Sequence, residues 1–489
     1  MVSLSFVSFG RVLAAGQQSL FSAKPLDATC KKVFRKLALL HGRPSRRRIL
    51  QAAFVCASAV SLGCGSAKEV LAAGGQQYTT SSTVTLPQVQ ASSADAFVDS
   101  MGVVTHMTYD NTPYYTNWPK VLTSLQNLGI RHVRDGYFNP NWGAPLTTRH
   151  QQLAQSGIRT NYVVPYDPAI TSQNIQKLAS VNKDMELLEA PNECDVAGNC
   201  GASISTSMAN MIAFTPVVRS AGTALNIPVL GPSFAAYETY GTVGNISSLM
   251  THNNLHVYFG GRNPGSSGWG GLDAQGNAYG SFPFWLDQAN LDAPGLPSLI
   301  SETGYLSFPG NPTPYTIPTD VEESYIPRTY ALSFLNGVRR TYVYELLEEV
   351  NSPGYGLIDG NMNPRPAYYA IQNLIANLSD PGPSFTPGTL PYAVTGGDAN
   401  VRKLLLQKHD GSFWLLLWSE QSSYDPVNCL YLPVTPQQVT LSLGGTYYTP
   451  NVGTFDTTGH LNWSSTRTTN QTVPLTISDQ ITIVKILPL

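Results

Sequence analysis

Charge is what this sequence has least of. Asp, Glu, Lys and Arg together make up 12% of its 489 residues, about half the share of an ordinary soluble domain. With 42 Gly and 35 Pro, that scarcity points to a loop-rich exported protein with polar, uncharged surfaces. The formal charge of −2 hides an asymmetry: residues 1–73 hold 11 Lys/Arg and two Asp/Glu, leaving 18 basic against 29 acidic residues, or −11, for the rest. So acidic a body lacks the basic face that nucleic acid requires, and no nucleic-acid partner is expected. Cysteine is scarce too. Of six, Cys194, Cys200 and Cys429 lie beyond residue 73, an odd number that excludes a disulfide framework, although Cys194 and Cys200 are spaced to close a small loop. There is no Cys/His spacing of the zinc type, so neither metal nor cofactor is expected. No Gly-x-Gly-x-x-Gly follows the first strand, which counts against an open dinucleotide-binding sheet. Hydrophobic residues at 42% and aromatics at 10% supply a large core and exclude global disorder.

The N-terminus reads as an address. Ser45-Arg46-Arg47-Arg48-Ile49-Leu50-Gln51 precedes an apolar run, Ala52–Leu62, and small residues lead on to Val70-Leu71-Ala72-Ala73. This is the layout of a signal peptide, with cleavage expected near Ala73. The paired arginines resemble a twin-arginine export signal, with Ile49 and Gln51 as departures. The apolar run is too short to span a bilayer, and no stable membrane insertion of the mature chain is expected. Residues 1–73 are therefore assigned to export into the periplasm or the medium. A lipid anchor at Cys64 is the alternative, although the leucine of Ser61-Leu62-Gly63-Cys64 sits one place off the lipoprotein pattern.

Residues 74–94 are rich in Thr, Ser and Gln and read as a linker, with a strand at Thr83–Val89 that can pair back onto the C-terminal region. From about residue 95 to 380, short apolar strands alternate with helical stretches. The strands are Met101–His106, Ile130–Arg134, Thr160–Pro165, Met185–Ala190, Val229–Pro232, Leu255–Phe259, Pro297–Ser301 and Thr341–Glu345. Eight βα units over this length predict a (β/α)8 TIM barrel. Gly129 and Gly157 each fit a helix C-cap that feeds the next strand. After Pro381-Gly382-Pro383 the pattern turns all-β, and residues 381–489 are expected to form a β-sandwich.

The C-terminal ends of barrel strands open onto the active face. Strand 4 ends Glu189-Ala190-Pro191-Asn192-Glu193 and strand 7 ends Ser301-Glu302-Thr303-Gly304, which puts two carboxylates on one mouth. Such a pair can carry out glycoside hydrolysis, one as proton donor and the other as nucleophile. At these positions the chain resembles glycoside hydrolase clan A, the retaining (β/α)8-barrel glycosidases, and is most similar to family 39. That resemblance covers about residues 95–380. It implies a cofactor-free retaining O-glycosidase acting on an oligo- or polysaccharide, with Glu193 as acid/base and Glu302 as nucleophile. It also implies that Asn192 bonds the sugar 2-hydroxyl, that Arg134 bonds the nucleophile, that His256 and Tyr258 form the strand-6 His-x-Tyr, and that His106 binds sugar. A trailing β-sandwich also occurs in families 39, 30 and 79. The clan's tryptophan after strand 8 is missing; the chain has Tyr344-Glu345-Leu346-Leu347-Glu348-Glu349 there.

Other readings of the same residues stay open. Glu189 reads as a buried supporting carboxylate, and Glu345, Glu348 and Glu349 as a solvated acidic rim. The Gly-rich stretch from Phe259 to Trp285 reads as a long loop in which Trp269 and Trp285 stack on sugar, while Phe282 and Phe284 anchor it. Tyr114, Tyr115, Trp118, Tyr137 and Trp142 follow strands 1 and 2 and are placed to extend a cleft. Two alternatives to a hydrolase are a non-catalytic carbohydrate-binding protein on the same barrel and a transglycosylase.

Overall fold

In a computed structural model of the chain, the described residues are 85–489 except 143, 267–270, 310–312, 350–352 and 466–470. The export segment and Trp269 lie outside them, as does the Trp142 side chain. Eight parallel strands build the first architecture: β1 Met101–Val104, β2 His132–Gly136, β3 Arg159–Val163, β4 Met185–Glu189, β5 Val229–Leu230, β6 Asn253–Tyr258, β7 Ser298–Gly304 and β8 Thr341–Val343. Their order in the sheet is β5-β4-β3-β2-β1-β8-β7-β6. The last strand therefore pairs with the first, Thr341 opposite Met101, which an open doubly wound sheet does not do. Between β5 and β6 the ring is drawn together by a parallel bridge, Leu230 to His252, with the Gly231 N–H donating to the His252 carbonyl at 2.9 Å. The result is a nearly closed barrel.

A main helix follows each strand, with a short extra one, Pro113–Thr116, before the first: α1 Trp118–Leu128, α2 Ala144–Gln155, α3 Ser172–Val181, α4 Ile204–Leu225, α5 Tyr237–Val243, α6 Phe282–Asp292, α7 Thr319–Leu335 and α8 Pro366–Leu378. Local chemistry sets their ends. In α1 the apolar stripe Trp118, Val121, Leu125 and Leu128 faces the core, and Gly129 at φ 78° stops the helix, a left-handed turn that favours glycine. Thr171 and Asn174 cap α3 reciprocally. Helix α6 corrects one expectation. The stretch from Phe259 to Trp285 is not loop throughout, because Ser281 caps a helix that begins at Phe282. Its Phe282, Phe284 and Trp285 rings are buried.

The C-terminal region is all-β. One sheet has the order Gln88–Gln90, Thr389–Gly396, Gln437–Leu443, Thr472–Ile477, and the other runs Ser92–Ser93, Val401–Gln407, Phe413–Ser419, Thr482–Pro488, Tyr447–Phe455, Leu461–Ser465. The segment read as linker thus ends in two short strands, one in each sheet, and a helix, Ala94–Asp99, leads from them into β1. All seven residues of the strand Phe413–Ser419 are buried. Alternation accounts for this: Phe413, Leu415 and Leu417 enter the core between the two sheets, whereas Trp414, Leu416 and Trp418 enter the cluster that contains the barrel's apolar residues. Among the described residues no helix is long and apolar enough to cross a membrane.

A buried ion pair joins barrel helix to sandwich. Arg328 of α7 is wholly buried and bonds Glu420 through its terminal nitrogen and, at 3.2 Å, through Nε. Trp418 Nε1 and Asn263 Nδ2 each donate to the same carboxylate at 2.7 Å. Removing one partner of such a pair leaves a buried charge uncompensated. Glu420→Ala is expected to cost about 3–5 kcal/mol of stability, measured by denaturant unfolding.

Candidate active site

The site grows from Arg134, at the middle of β2 and pointing into the barrel. Its Nε and Nη2 donate to the two oxygens of Glu189 at 2.9 and 2.7 Å. Nη1 donates to Glu302 Oε1 at 2.5 Å, and Nη2 also to Asn192 Oδ1 at 2.6 Å. One guanidinium therefore ties the floor of the barrel to its mouth. Glu189 is fully buried and its oxygens are saturated by further donors: Asn161 Nδ2 at 2.6 Å, Asn254 Nδ2 at 3.1 Å and Ser301 Oγ at 3.2 Å. This is how a buried carboxylate is accommodated, with every lone pair occupied.

Glu302 ends up between two donors, Arg134 on Oε1 and the Tyr258 hydroxyl on Oε2 at 2.9 Å. The close passage of β7 past β8 depends on the residue two places on: a Cβ at Gly304 would lie 2.4 Å from the Tyr344 carbonyl oxygen. Glu193 is held differently. It adopts φ 46°, a left-handed backbone that costs a non-glycine residue about 1–2 kcal/mol and persists only where its surroundings enforce it. The enforcement is visible. The Glu193 N–H donates to the Ser233 carbonyl at 3.1 Å, Asn199 Nδ2 donates to the Glu193 carbonyl at 3.0 Å, and a disulfide joins Cys194 to Cys200.

Between the two carboxylates stands His256. Its Nδ1 lies 2.7 Å from Glu193 Oε1 and its Nε2 3.0 Å from Ser301 Oγ. Burial, with the Arg134 charge, holds its pKa well below the usual histidine range, so the ring is neutral. Since Ser301 donates to Glu189, its oxygen accepts from Nε2–H. Nδ1 is then left as an acceptor for a proton on Glu193. That proton is favoured: burial first, then the negative charge of Glu302 and of Asp195, raises the Glu193 pKa well above the usual carboxylate range. Atoms of Glu193, His256 and Glu302 all lie within 4.8 Å of one another. The arrangement keeps one carboxyl protonated beside another held by a cation and a phenol, as acid–base work at a single bond requires.

On the opposite side of the mouth, His106, just beyond β1, stacks on Tyr109 at 4.7 Å and meets the Tyr344 ring edge-on at 5.4 Å. Burial holds its pKa down to about 3. Tyr344 also packs edge-on against Tyr355, and Tyr355 against Tyr258, so tyrosines line the mouth where the sequence has no tryptophan.

Glu193, Glu302, Asn192, Arg134, His256 and Tyr258 thus come together, with His106 beside them. Two expectations are corrected. Trp285 is buried in α6, where it packs against Tyr240 and Phe284, so its ring glues helices together instead of walling a cleft. Glu345 and Glu349 are no solvated rim: they are 0% and 3% exposed, and Glu348 is paired with Arg365. The supporting roles of Asn161 and Asn254 were missed. Alternation from Arg134's neighbour strand and from His256 was the available signal, since Asn254 and His256 share one face of β6.

No family model and no curated protein matches the chain. Its structure is similar to that of an α-L-arabinofuranosidase from Thermotoga maritima, with a TM-score of 0.51 and 10% identity over 83% of this chain and 98% of that one. It is also similar to the catalytic domain of the GH30 xylanase C from Talaromyces cellulolyticus, with a TM-score of 0.49, 10% identity and the same coverage. At such identity, the likeness to the arabinofuranosidase establishes a shared fold.

Arg134→Met would leave Glu189 buried without its counter-charge. A loss of about 3–5 kcal/mol in unfolding free energy is expected, together with loss of order at Glu302, read by a crystal structure of the variant.

Proposed function

We propose that this chain is an exported, retaining O-glycoside hydrolase acting on an oligo- or polysaccharide. The observation that carries the reading is the approach of Glu193 and Glu302 across the barrel mouth, to within 4.8 Å between oxygens. That spacing suits nucleophilic displacement; inverting enzymes need room for a water, at about 6.5–9.5 Å. In the first half-reaction the Glu193 proton passes to the leaving oxygen while Glu302 attacks the anomeric carbon. Arg134 and Tyr258 hold the attacking carboxylate in place through one bond to each oxygen. In the second, ionised Glu193 takes a proton from water, which releases the sugar from Glu302. In this reading Asn192, oriented by Arg134, bonds the sugar 2-hydroxyl. Within the retaining barrels, the trailing sandwich and the strand-6 His-x-Tyr support a family 39-like assignment. The arginine-rich leader and the acidic body support export and the absence of a nucleic-acid partner.

Proton NMR of the first product should show net retention, and inversion would overturn the mechanism. Glu302→Ala should lower kcat by more than about 10⁴-fold. Glu193→Ala should lower it by about 10²–10⁴-fold, and by less on aryl glycosides whose leaving group needs no proton. Binding of a glycan without cleavage by the wild type would reject the hydrolase reading in favour of a binding protein.

The raised Glu193 pKa sets a direction for pH dependence. Activity requires the protonated form, so kcat/KM should fall as pH rises through that pKa. In Glu193→Gln this alkaline limb should disappear, which a pH–rate profile on an aryl glycoside would detect.

A further inference from the structure

Around the barrel mouth some buried carboxylates are provided with donors and others are not. Glu189 has Arg134, Asn161, Asn254 and Ser301. Glu302 has Arg134 and Tyr258, whereas Glu193 gives its proton to His256 through Oε1 and leaves Oε2 without a partner among the described residues. Asp135 receives Thr105 Oγ1 at 2.6 Å and the amides of Met107 and Gly136 at 3.0 and 2.7 Å. Glu345 and Glu349 receive no side-chain donor: both oxygens of Glu345, Oε1 of Glu349 and the facing Nε2 of His106 are sealed from solvent without a side-chain partner among the described residues, with the Glu349 amide turned toward the Glu345 carboxyl. A buried carboxylate in that condition needs a proton or a cation.

The spacing selects between them. His106 Nε2 lies 3.5 Å from Glu345 Oε2 and 3.8 Å from Glu349 Oε1, too far for hydrogen bonds. One atom from each of the three side chains falls within 4.8 Å of the other two. Ligand atoms about 2.0–2.2 Å from a tetrahedral ion stand about 3.4 Å apart, close to the observed distances. The other trio at the mouth, Glu193, His256 and Glu302, is instead drawn together by the 2.7 Å Glu193–His256 hydrogen bond.

We propose that His106 Nε2, Glu345 and Glu349 form a binding site for one divalent transition metal ion of the zinc type, seated between the ends of β1 and β8. One imidazole nitrogen and two carboxylates suit zinc or manganese, and three protein ligands leave a coordination position open for water or a substrate oxygen. The backbone holds the ligands in place. The Leu346 N–H donates to the Val104 carbonyl at 3.0 Å, and the Glu345 carbonyl accepts from the Leu357 amide at 2.8 Å. The proposal does not rest on the glycosidase reading, since it concerns only these three side chains.

Elemental analysis of the purified full chain after dialysis should give about one zinc or manganese per chain. The chelator-stripped chain should take up one equivalent of Zn²⁺ in calorimetric titration, with a raised melting temperature. Cobalt substitution should produce the visible absorption of a four- or five-coordinate ion. Glu345→Gln and Glu349→Gln, checked for folding by circular dichroism, should each weaken Zn²⁺ binding by at least about tenfold. Absence of saturable Zn²⁺ and Mn²⁺ uptake by the stripped wild type would overturn the proposal whether or not the variants fold. Uptake unchanged in both folded variants would overturn it equally. Neither result bears on retention or on Glu193 and Glu302, so failure here is distinguishable from failure of the hydrolase reading.

Discussion

Arg134 is the constraint on which the rest of the mouth depends. A guanidinium is planar, permanently charged and rich in donors, and here it spends them on three groups from two strands and a loop. Buried at the centre of the barrel, it makes Glu189 tolerable, and Glu189 in turn fixes Asn161, Asn254 and Ser301. Through Ser301 the chain of bonds reaches His256 and then Glu193. The same arginine orients Glu302 and Asn192 directly. A lysine could not replace it, because a single ammonium cannot grip Glu189 with two parallel bonds while reaching Glu302.

The two carboxylates that meet at the mouth differ by environment alone. Glu302 sits between a cation and a phenol, each donating to one of its oxygens. Glu193 faces a neutral imidazole, with Glu302 and Asp195 nearby to repel a second negative charge. The left-handed backbone at Glu193 and the Cys194–Cys200 link that follows it keep this asymmetry from relaxing, since a slack loop would let the carboxyl swing into water and return to ordinary acidity.

Much of this was legible in the chain before any coordinates. Strands such as Met185–Glu189 and Ser298–Gly304 are apolar runs that end in polar turn residues, a local signal that also places Glu193 and Glu302 on one face of the barrel. Gly129 announced the end of α1 because only its backbone suits that turn. The failures share one physical cause. Glu345, Glu348 and Glu349 crowd three acids into five residues, which local composition reads as solvated. The burial of Glu345 and Glu349 follows from β8 closing against β1, a contact between segments about 240 residues apart that no local pattern encodes. Trp285 failed for the same reason: a tryptophan in a Gly-rich stretch resembles a sugar platform until a capped helix carries it onto Tyr240. Asn254 and Ser301 have no signature of their own and acquire a role only once Glu189 needs donors.

The strand Phe413–Ser419, with apolar side chains on both faces, has a consequence for how the molecule is assembled and how it evolves. A detachable accessory module would turn a wettable surface toward its neighbour, whereas this one offers Trp414, Leu416 and Trp418. Cutting the chain near residue 381 would strip the barrel of its cover and leave a greasy sheet on the released fragment, so neither half is a natural unit for grafting or truncation. Barrel and sandwich are held as a single cooperative body even though their two architectures look separable on paper.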